Sequence, residues 1–432
     1  MAVGPEEVLQ QHLEAIRLAA LRATDAGEAV RRNLRLDRNV LRAGRRRLTL
    51  PPGCRVWIVA LGKAAPAMAA AAAGVLADRL TGGVVTTLGE TGPIHPRLLS
   101  IVTGHPLPNP GSLAAGEHAR ELLAGAGHDD LLLALVSGGG SAMFELLWEE
   151  ASLDDLRAVN DLLIRSGAPV HEINTVRKSL SRVKAGGLAR IAAPARTIGL
   201  VLSDVVGDSL AAVASGPTLL RAAKPAAAQR ILEAYGLWGL APPGIRAALQ
   251  SSPSSTPAGP RTPPPVSILI GSNRDLVRAA RKEALHRGLR ARVVTGRMQG
   301  EARQVGAAVG RRLLRAPGGA CLLMGGETTV TVRGTGKGGR NQELALAAAI
   351  EMRGAPGVAL LALASDGVDG PTDAAGALVD GATFARATEL GWDPLAALAA
   401  NDSYPLLRAC GALIHTGLTG TNVGDLVVGI RI

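Results

Sequence analysis

Uninterrupted apolar runs that end in Gly, Ser, Asp or Asn recur along the chain, and a helical segment usually follows each. This pattern constrains the fold more than any other feature. "RVWIVALGK" (residues 55–63), "LLLALVSGGGSAM" (131–143), "RTIGLVLSDVVGD" (196–208), "VSILIGSNRD" (266–275) and "ALLALASDGVDGPTD" (359–373) share the form. A strand that is apolar at every position has no face for water, so both faces must be covered. Helices do this for a parallel sheet. The expected fold class is α/β with mainly parallel sheets. The 432 residues are long for one core, so two domains are expected. The clearest linker is "SSPSSTPAGPRTPPP" (251–265), whose Pro and Ser content cannot build a core element. The expected domains are therefore 1–258 and 266–432.

Composition narrows the function classes. Aromatic residues are only 2%, so the core rests on Ala, Leu, Val and Ile. The formal net charge of +11 suits nucleic acid, an anionic membrane or small anionic substrates. The densest basic run, "VRRNLRLDRNVLRAGRRRL" (30–48), lacks the aromatics that stack bases and reads as a solvated helix face and loop. Cys54, Cys321 and Cys410 are far apart with no C-x-x-C, which fits buried thiols in a reducing compartment. The first residues lack the basic-then-apolar pattern of a signal peptide, and the longest apolar run is too short to span a bilayer. The expectation is a soluble cytoplasmic protein with no nucleic-acid or membrane partner.

In open parallel α/β sheets, ligands sit at the carboxyl ends of strands, and the polar clusters fall there. Lys63 follows the first such run at a helix start, where an ammonium adds to an anion-favouring terminus. Ser137, Gly138, Gly139, Gly140 and Ser141 form a glycine turn whose N–H groups and hydroxyls suit an anion, or simply a tight turn. It is no nucleophile elbow, because Met143 stands where G-x-S-x-G needs glycine. "HEINTVRKSLSRVKAGG" (171–187) places Arg177 and Lys184 on one helical face with Ser181 between them, a stripe for an acidic substrate or for solvent. Asp204 and Asp208, and Asp366, Asp369 and Asp373, lie in glycine-rich turns; such acids hold Mg²⁺ beside phosphates or cap turns.

"GGETTVTVRGTGKGGRNQE" (325–343) contains Gly334, Gly336 and Gly339, a formal G-x-G-x-x-G. A dinucleotide turn keeps its interior small and apolar, whereas Lys337 and Arg340 make this one cationic. It is not a Walker A loop, since Gly338 follows Lys337 where Ser or Thr is required. The reading is an unorthodox phosphate site.

"ALGKAAPAM", "TGHPLPNPGS", "SGGGSA", "NTVRKSLS", "LSDVVGD", "ASGPT", "GGETTVTVRGTGKGGRNQELALAAA", "ASDGVDGPTDAAGA", "NDSY" and "TGTNVGDL" occur in this order. Together they resemble the glycerate 2-kinases of the MOFRL family. The resemblance implies a Rossmann-like N-terminal domain, a MOFRL C-terminal domain and an active site in the cleft between them. It implies transfer of the ATP γ-phosphoryl to D-glycerate with Mg²⁺, giving 2-phosphoglycerate. Lys63 and Arg340 become the expected catalytic cations. The 137–141 loop, Asp204, Asn273, Glu327, Thr328, Lys337, Asn341, Asp366 and Asp369 become expected binding residues. Asp204 and Asp366 are the metal candidates, Arg177 or Lys184 would hold the glycerate carboxylate, and a homodimer is the candidate assembly. Ser179, Gly187, Val206, Leu418 and Gly424 depart from the family pattern, Gly187 by replacing a usual basic residue. The rival readings are a nicotinamide-dependent hydroxypyruvate reductase and a nucleic-acid binder.

Overall fold

Four of the five apolar runs form inner strands of two six-stranded sheets. The fifth, 266–275, forms an edge strand that is buried only at its end, because among the described residues no strand covers its outer side. The structure is a computed structural model that describes residues 4–221, 223–251 and 263–432. The first strands are β1 (Leu34–Asp37), β2 (Val40–Ala43), β3 (Arg46–Thr49), β4 (Val56–Leu61), β5 (Leu80–Thr87), β6 (Leu98–Val102), β7 (Leu131–Val136), β8 (Arg196–Ser203) and β9 (Val266–Ser272). Then come β10 (Arg290–Met298), β11 (Ala320–Gly326), β12 (Val358–Ala364), β13 (Gly376–Asp380), β14 (Leu413–Ile414) and β15 (Asp425–Arg431).

The first large sheet has the order β6-β5-β4-β7-β8-β9, with parallel pairing from β6 through β8. β4 and β7 are buried at every position, as their unbroken apolar sequence requires. The helix Ala65–Leu76 follows β4 and buries most of its alanines, which lose no side-chain entropy on packing. The basic run 30–48 ends a helix at Asn33 and then forms the antiparallel meander β1–β3, not a loop. Its arginines are exposed while Leu34, Leu41 and Ala43 point inward, so the alternation of a half-buried ribbon was present beneath the charge.

The second large sheet has the order β10-β11-β15-β12-β13-β14. Only β10–β11 is parallel; the other neighbouring pairs are antiparallel. β11 and β12, joined by the helix Arg340–Met352, run in the same direction, but the C-terminal strand β15 lies between them and runs against both. Nothing local in a sequence announces such an insertion.

The chain forms two compact units. One comprises Ala26–Ser203 and Ser209–Ile270, the other Met1–Asp25, Asp204–Asp208 and Gly271–Ile432. These divisions differ from a single cut between 258 and 266 in three places. Residues 266–270, expected in the C-terminal domain, fall in the first unit, where β9 pairs as the last strand of the first sheet. The first helix, Pro5–Ala23, buries Leu9, Leu13, Ile16 and Ala20 and packs on the helix Asn273–His286, so it belongs with the C-terminal unit. Asp204–Asp208 joins the same unit. Of the proposed linker, residues 252–262 lie outside the described residues. The three cysteines are buried and free. Among the described residues no helix is long and apolar enough to cross a membrane.

Candidate active site

In the first unit the ends of β4 and β7 are laced by their glycine turns. The Lys63 N–H donates to the Gly138 carbonyl at 2.9 Å, and the Ala64 N–H donates to Ser137 Oγ at 3.1 Å. Ser137 is fully buried and its hydroxyl donates to the Leu61 carbonyl at 3.2 Å, so it serves the turn itself. Gly62 has φ +102°, and a Cβ there would lie 2.4 Å from the Ser137 carbonyl oxygen; only glycine fits. At Gly139, φ +82°, a Cβ would lie 3.1 Å from Lys63 Cγ and 3.2 Å from His105 Cδ2. The Lys63 stem and the His105 ring thus flank the bare glycine. Gly140 packs on Leu61 and Ala214, and Ser141 Oγ lies 2.8 Å from Ser215 Oγ. His105 sits in "TGHPLPNPGS", a stretch whose only local signal is a Pro-rich turn; its position over Gly139 is a tertiary fact.

The basic segment 171–187 departs from the expected stripe. Its helix ends at Ser179, so Lys184 lies in a turn and shares no helical face with Arg177. Lys184 is buried with its ammonium on Glu145, which also accepts from the Ser181 hydroxyl. A lysine this deep requires its counter-ion. Arg177 Nε donates to Asn160 Oδ1 at 2.8 Å, and burial pulls its pKa down. Both residues expected to hold a substrate carboxylate are therefore engaged within the protein. Gly187, where a basic residue was expected from the resemblance, has no space for one: a Cβ would lie 1.9 Å from the Arg182 carbonyl oxygen.

In the second unit the stretch 327–339 has no strand beyond one bridge between Glu301 and Thr329. The glycines of the G-x-G-x-x-G serve packing. A Cβ at Gly334 would lie 2.2 Å from the Ala400 carbonyl oxygen, and one at Gly336 would lie 2.5 Å from Asp402 Cβ. The "NDSY" segment holds this loop. Asn401 Oδ1 accepts from the Arg333 and Gly334 N–H groups at 2.7 and 3.1 Å, and Asp402 Oδ1 accepts from the Lys337 N–H at 2.8 Å. Lys337 is exposed, with its ammonium 4.5 Å from the Tyr404 ring centroid.

Arg340 begins the helix Arg340–Met352 and is held by two carboxylates. Its Nε and Nη2 donate to Asp425 at 2.6 and 2.8 Å, and Nη1 lies 3.1 Å from Glu327 Oε1. Burial opposes its charge, but Asp425 and then Glu327 outweigh that and hold its pKa above the ordinary arginine value. Asp425 itself is 0% exposed. It lies in "TGTNVGDL", and only the insertion of β15 brings it to Arg340.

Asp369, also 0% exposed, caps that helix from outside it. Its carboxylate accepts from the Asn341 and Gln342 N–H groups at 3.1 and 2.9 Å. A Cβ at Gly339 would strike this carboxylate at 2.3 Å. Burial raises the Asp369 pKa from 3.8 to about 6, against the helix N–H groups that lower it. The folded state therefore binds this proton more tightly than the unfolded state does. The resulting stabilisation is complete below about pH 4 and is lost as pH rises through about 6. Asp369→Asn is expected to flatten that part of the stability profile, read from urea midpoints between those pH values.

Asn273 donates from Nδ2 to the Val423 and Asp425 carbonyls, each at 2.9 Å, and so ties the entry of β15 to its own helix. Asp204 accepts from Asn422 Nδ2 at 3.3 Å, and Asp366 accepts from the Val368 N–H at 3.1 Å. Thr328 Oγ1, Asn341 Oδ1, Gln342 Oε1 and Ser403 Oγ are buried without hydrogen-bond partners. Orphaned polar atoms on both sides of the glycine loop mark a place where a polar ligand or water belongs. Among the described residues no group of three or more His, Cys, Asp or Glu side chains is placed to hold a metal.

Two family models match the chain: a domain of unknown function, DUF4147, over residues 12–250, and the MOFRL family over residues 320–425. A D-glycerate 2-kinase of Thermotoga maritima is 42% identical over 388 residues, which cover 87% of this chain and 90% of that protein. A putative hydroxypyruvate reductase of Agrobacterium vitis is 39% identical, covering 87% of each. The crystal structure of a glycerate kinase from Thermotoga maritima superposes with a TM-score of 0.84 at 37% identity, covering 99% of this chain and 100% of that one. With both regions matched in order and the kinase relative spanning most of its length, the chain belongs to the DUF4147–MOFRL family of glycerate 2-kinases.

Proposed function

We propose that the protein transfers the γ-phosphoryl of ATP to D-glycerate, giving 2-phosphoglycerate and ADP. One observation carries the reading: the 42% identity to a D-glycerate 2-kinase extends over 87% of the chain and so includes residues of both units. Phosphoryl transfer depends on positioning and charge neutralisation more than on covalent chemistry. Lys63 is suited to this, with its stem laid over Gly139 at the end of β4 and β7. Arg340 plays a different part from a free cation. Clamped by Asp425 and Glu327, it fixes the first residue of its helix, while Asp369 holds the Asn341 amide through Nδ2 and leaves its Oδ1 open. Asp204 is the candidate to orient the acceptor hydroxyl.

Magnesium fits the chemistry of the available donors. Asp204 and Asp366 offer oxygen only, and a site with one or two carboxylates suits Mg²⁺, which takes its remaining ligands from water and phosphate. When bound, the ion supplies neutralisation of phosphate charge.

The reductase name of the Agrobacterium relative finds little support in the glycine loop, whose Gly334 and Gly336 lie against Ala400 and Asp402 instead of leaving backbone open to a pyrophosphate. Phosphorus NMR of a reaction with D-glycerate, ATP and Mg²⁺ tests the kinase reading. A 2-phosphoglycerate signal is expected. Oxidation of a reduced nicotinamide cofactor by hydroxypyruvate, with no need for ATP, would overturn it.

A further inference from the structure

We propose that the carboxylate of the acceptor acid is bound in a basic cavity of the first unit, by Lys178 and Arg221. The inference rests on the glycerate-kinase reading for the identity of the acid, and on the cavity for the site. The cavity has a volume of about 390 Å³ and is lined by Thr175, Lys178, Ala185, Ser215, Arg221 and Lys224, among others. None of the described residues lining it is acidic. Lys184, by contrast, already has the buried Glu145 carboxylate as its counter-ion.

Three further observations converge on the same cavity. Lys178 is half-buried and donates to the Ala211 carbonyl at 3.1 Å, which leaves two of its three donors for a ligand. Burial and then the neighbouring Arg221 pull its pKa down, so an anion between the two would relieve both. Second, the wall is strained: Ala185 and Ser215 hold φ of +50° and +62°, which side chains with a Cβ rarely adopt. They sustain it through the Ala185 N–H, which donates to the Ser215 carbonyl at 3.0 Å. Third, Ser215 both lines the cavity and touches Ser141, whose loop carries the glycine beneath Lys63. A short hydroxy acid anchored by its carboxylate at Lys178 and Arg221 lies close to that loop. No larger anion is required, since the volume suits a three-carbon acid with its waters.

The test uses the full chain, with D-glycerate as the calorimetric titrant in the absence of ATP and with steady-state KM values for D-glycerate and ATP. Arg221 is exposed, so Arg221→Ala is expected to fold normally. It should weaken D-glycerate binding and raise its KM about ten- to hundredfold, with the KM for ATP unchanged. Arg221→Lys should recover part of the loss, and Lys178→Met should reproduce it. Wild-type affinity for D-glycerate in both Arg221→Ala and a folded Lys178→Met would overturn the proposal. The two readings fail separately. A wild-type protein that binds D-glycerate through Arg221 but forms no 2-phosphoglycerate sinks the kinase reading and leaves the subsite. A working kinase with an unmoved glycerate KM does the reverse.

Discussion

Arg340→Ala is expected to lower stability as well as turnover. Removing the guanidinium leaves Asp425, which is 0% exposed, as a buried carboxylate without its partner. Breaking a pair of this kind is worth about 3–5 kcal/mol of destabilisation. The loss should appear as a lower urea midpoint with an unchanged m-value. A loss of activity in this variant alone therefore does not identify a catalytic cation. The double variant Arg340→Ala/Asp425→Asn separates the effects. It removes the orphaned charge and is expected to regain much of the stability. If turnover stays low in the refolded double variant, Arg340 contributes to transfer beyond its structural pair. If turnover returns with stability, its part is confined to holding the helix Arg340–Met352 and Asp425.

Lys63→Ala is expected to show the opposite balance. Lys63 is only half-buried, and the contacts that set its turn come from backbone groups and Ser137. Truncating the side chain leaves the lacing of β4 to β7 intact, so the melting temperature should change little. If its ammonium faces the transferring phosphoryl, kcat should fall about 10²- to 10³-fold, the usual consequence of removing one preorganised charge donor. KM for D-glycerate should move less than kcat. A near-normal kcat would remove Lys63 from the reaction. A large fall in melting temperature would show that its stem over Gly139 matters chiefly for packing.

These two residues illustrate what is legible in a sequence and what is not. The place of Lys63, after an apolar strand and a glycine and at a helix start, was legible because those signals are local, although the contacts that fix its turn come from Ser137 and Gly138. The loop around Ser137 to Ser141 was legible for the same reason. Arg340 was legible as an unusual cation but not as a paired one, since Asp425 is 85 residues away. Lys184 read as a surface stripe because helical periodicity was extrapolated past Ser179, where the helix stops. The G-x-G-x-x-G read as a ligand loop because close approach of a ligand and close approach of another chain segment demand the same residue. Its neighbour proved to be Ala400 to Asp402.

By itself the sequence determined the α/β class, the buried central strands, the order of the polar turns and the family. These follow from residue patterns within one strand or one turn, where hydrophobic burial and backbone sterics act over a few residues. The tertiary structure alone decided three things: the insertion of β15, the return of the first helix and of Asp204–Asp208 to the C-terminal unit, and which cations are neutralised. Each depends on residues far apart in the chain. The desolvation of a charge, and so the partner it must have, exists only once the surrounding core has closed over it.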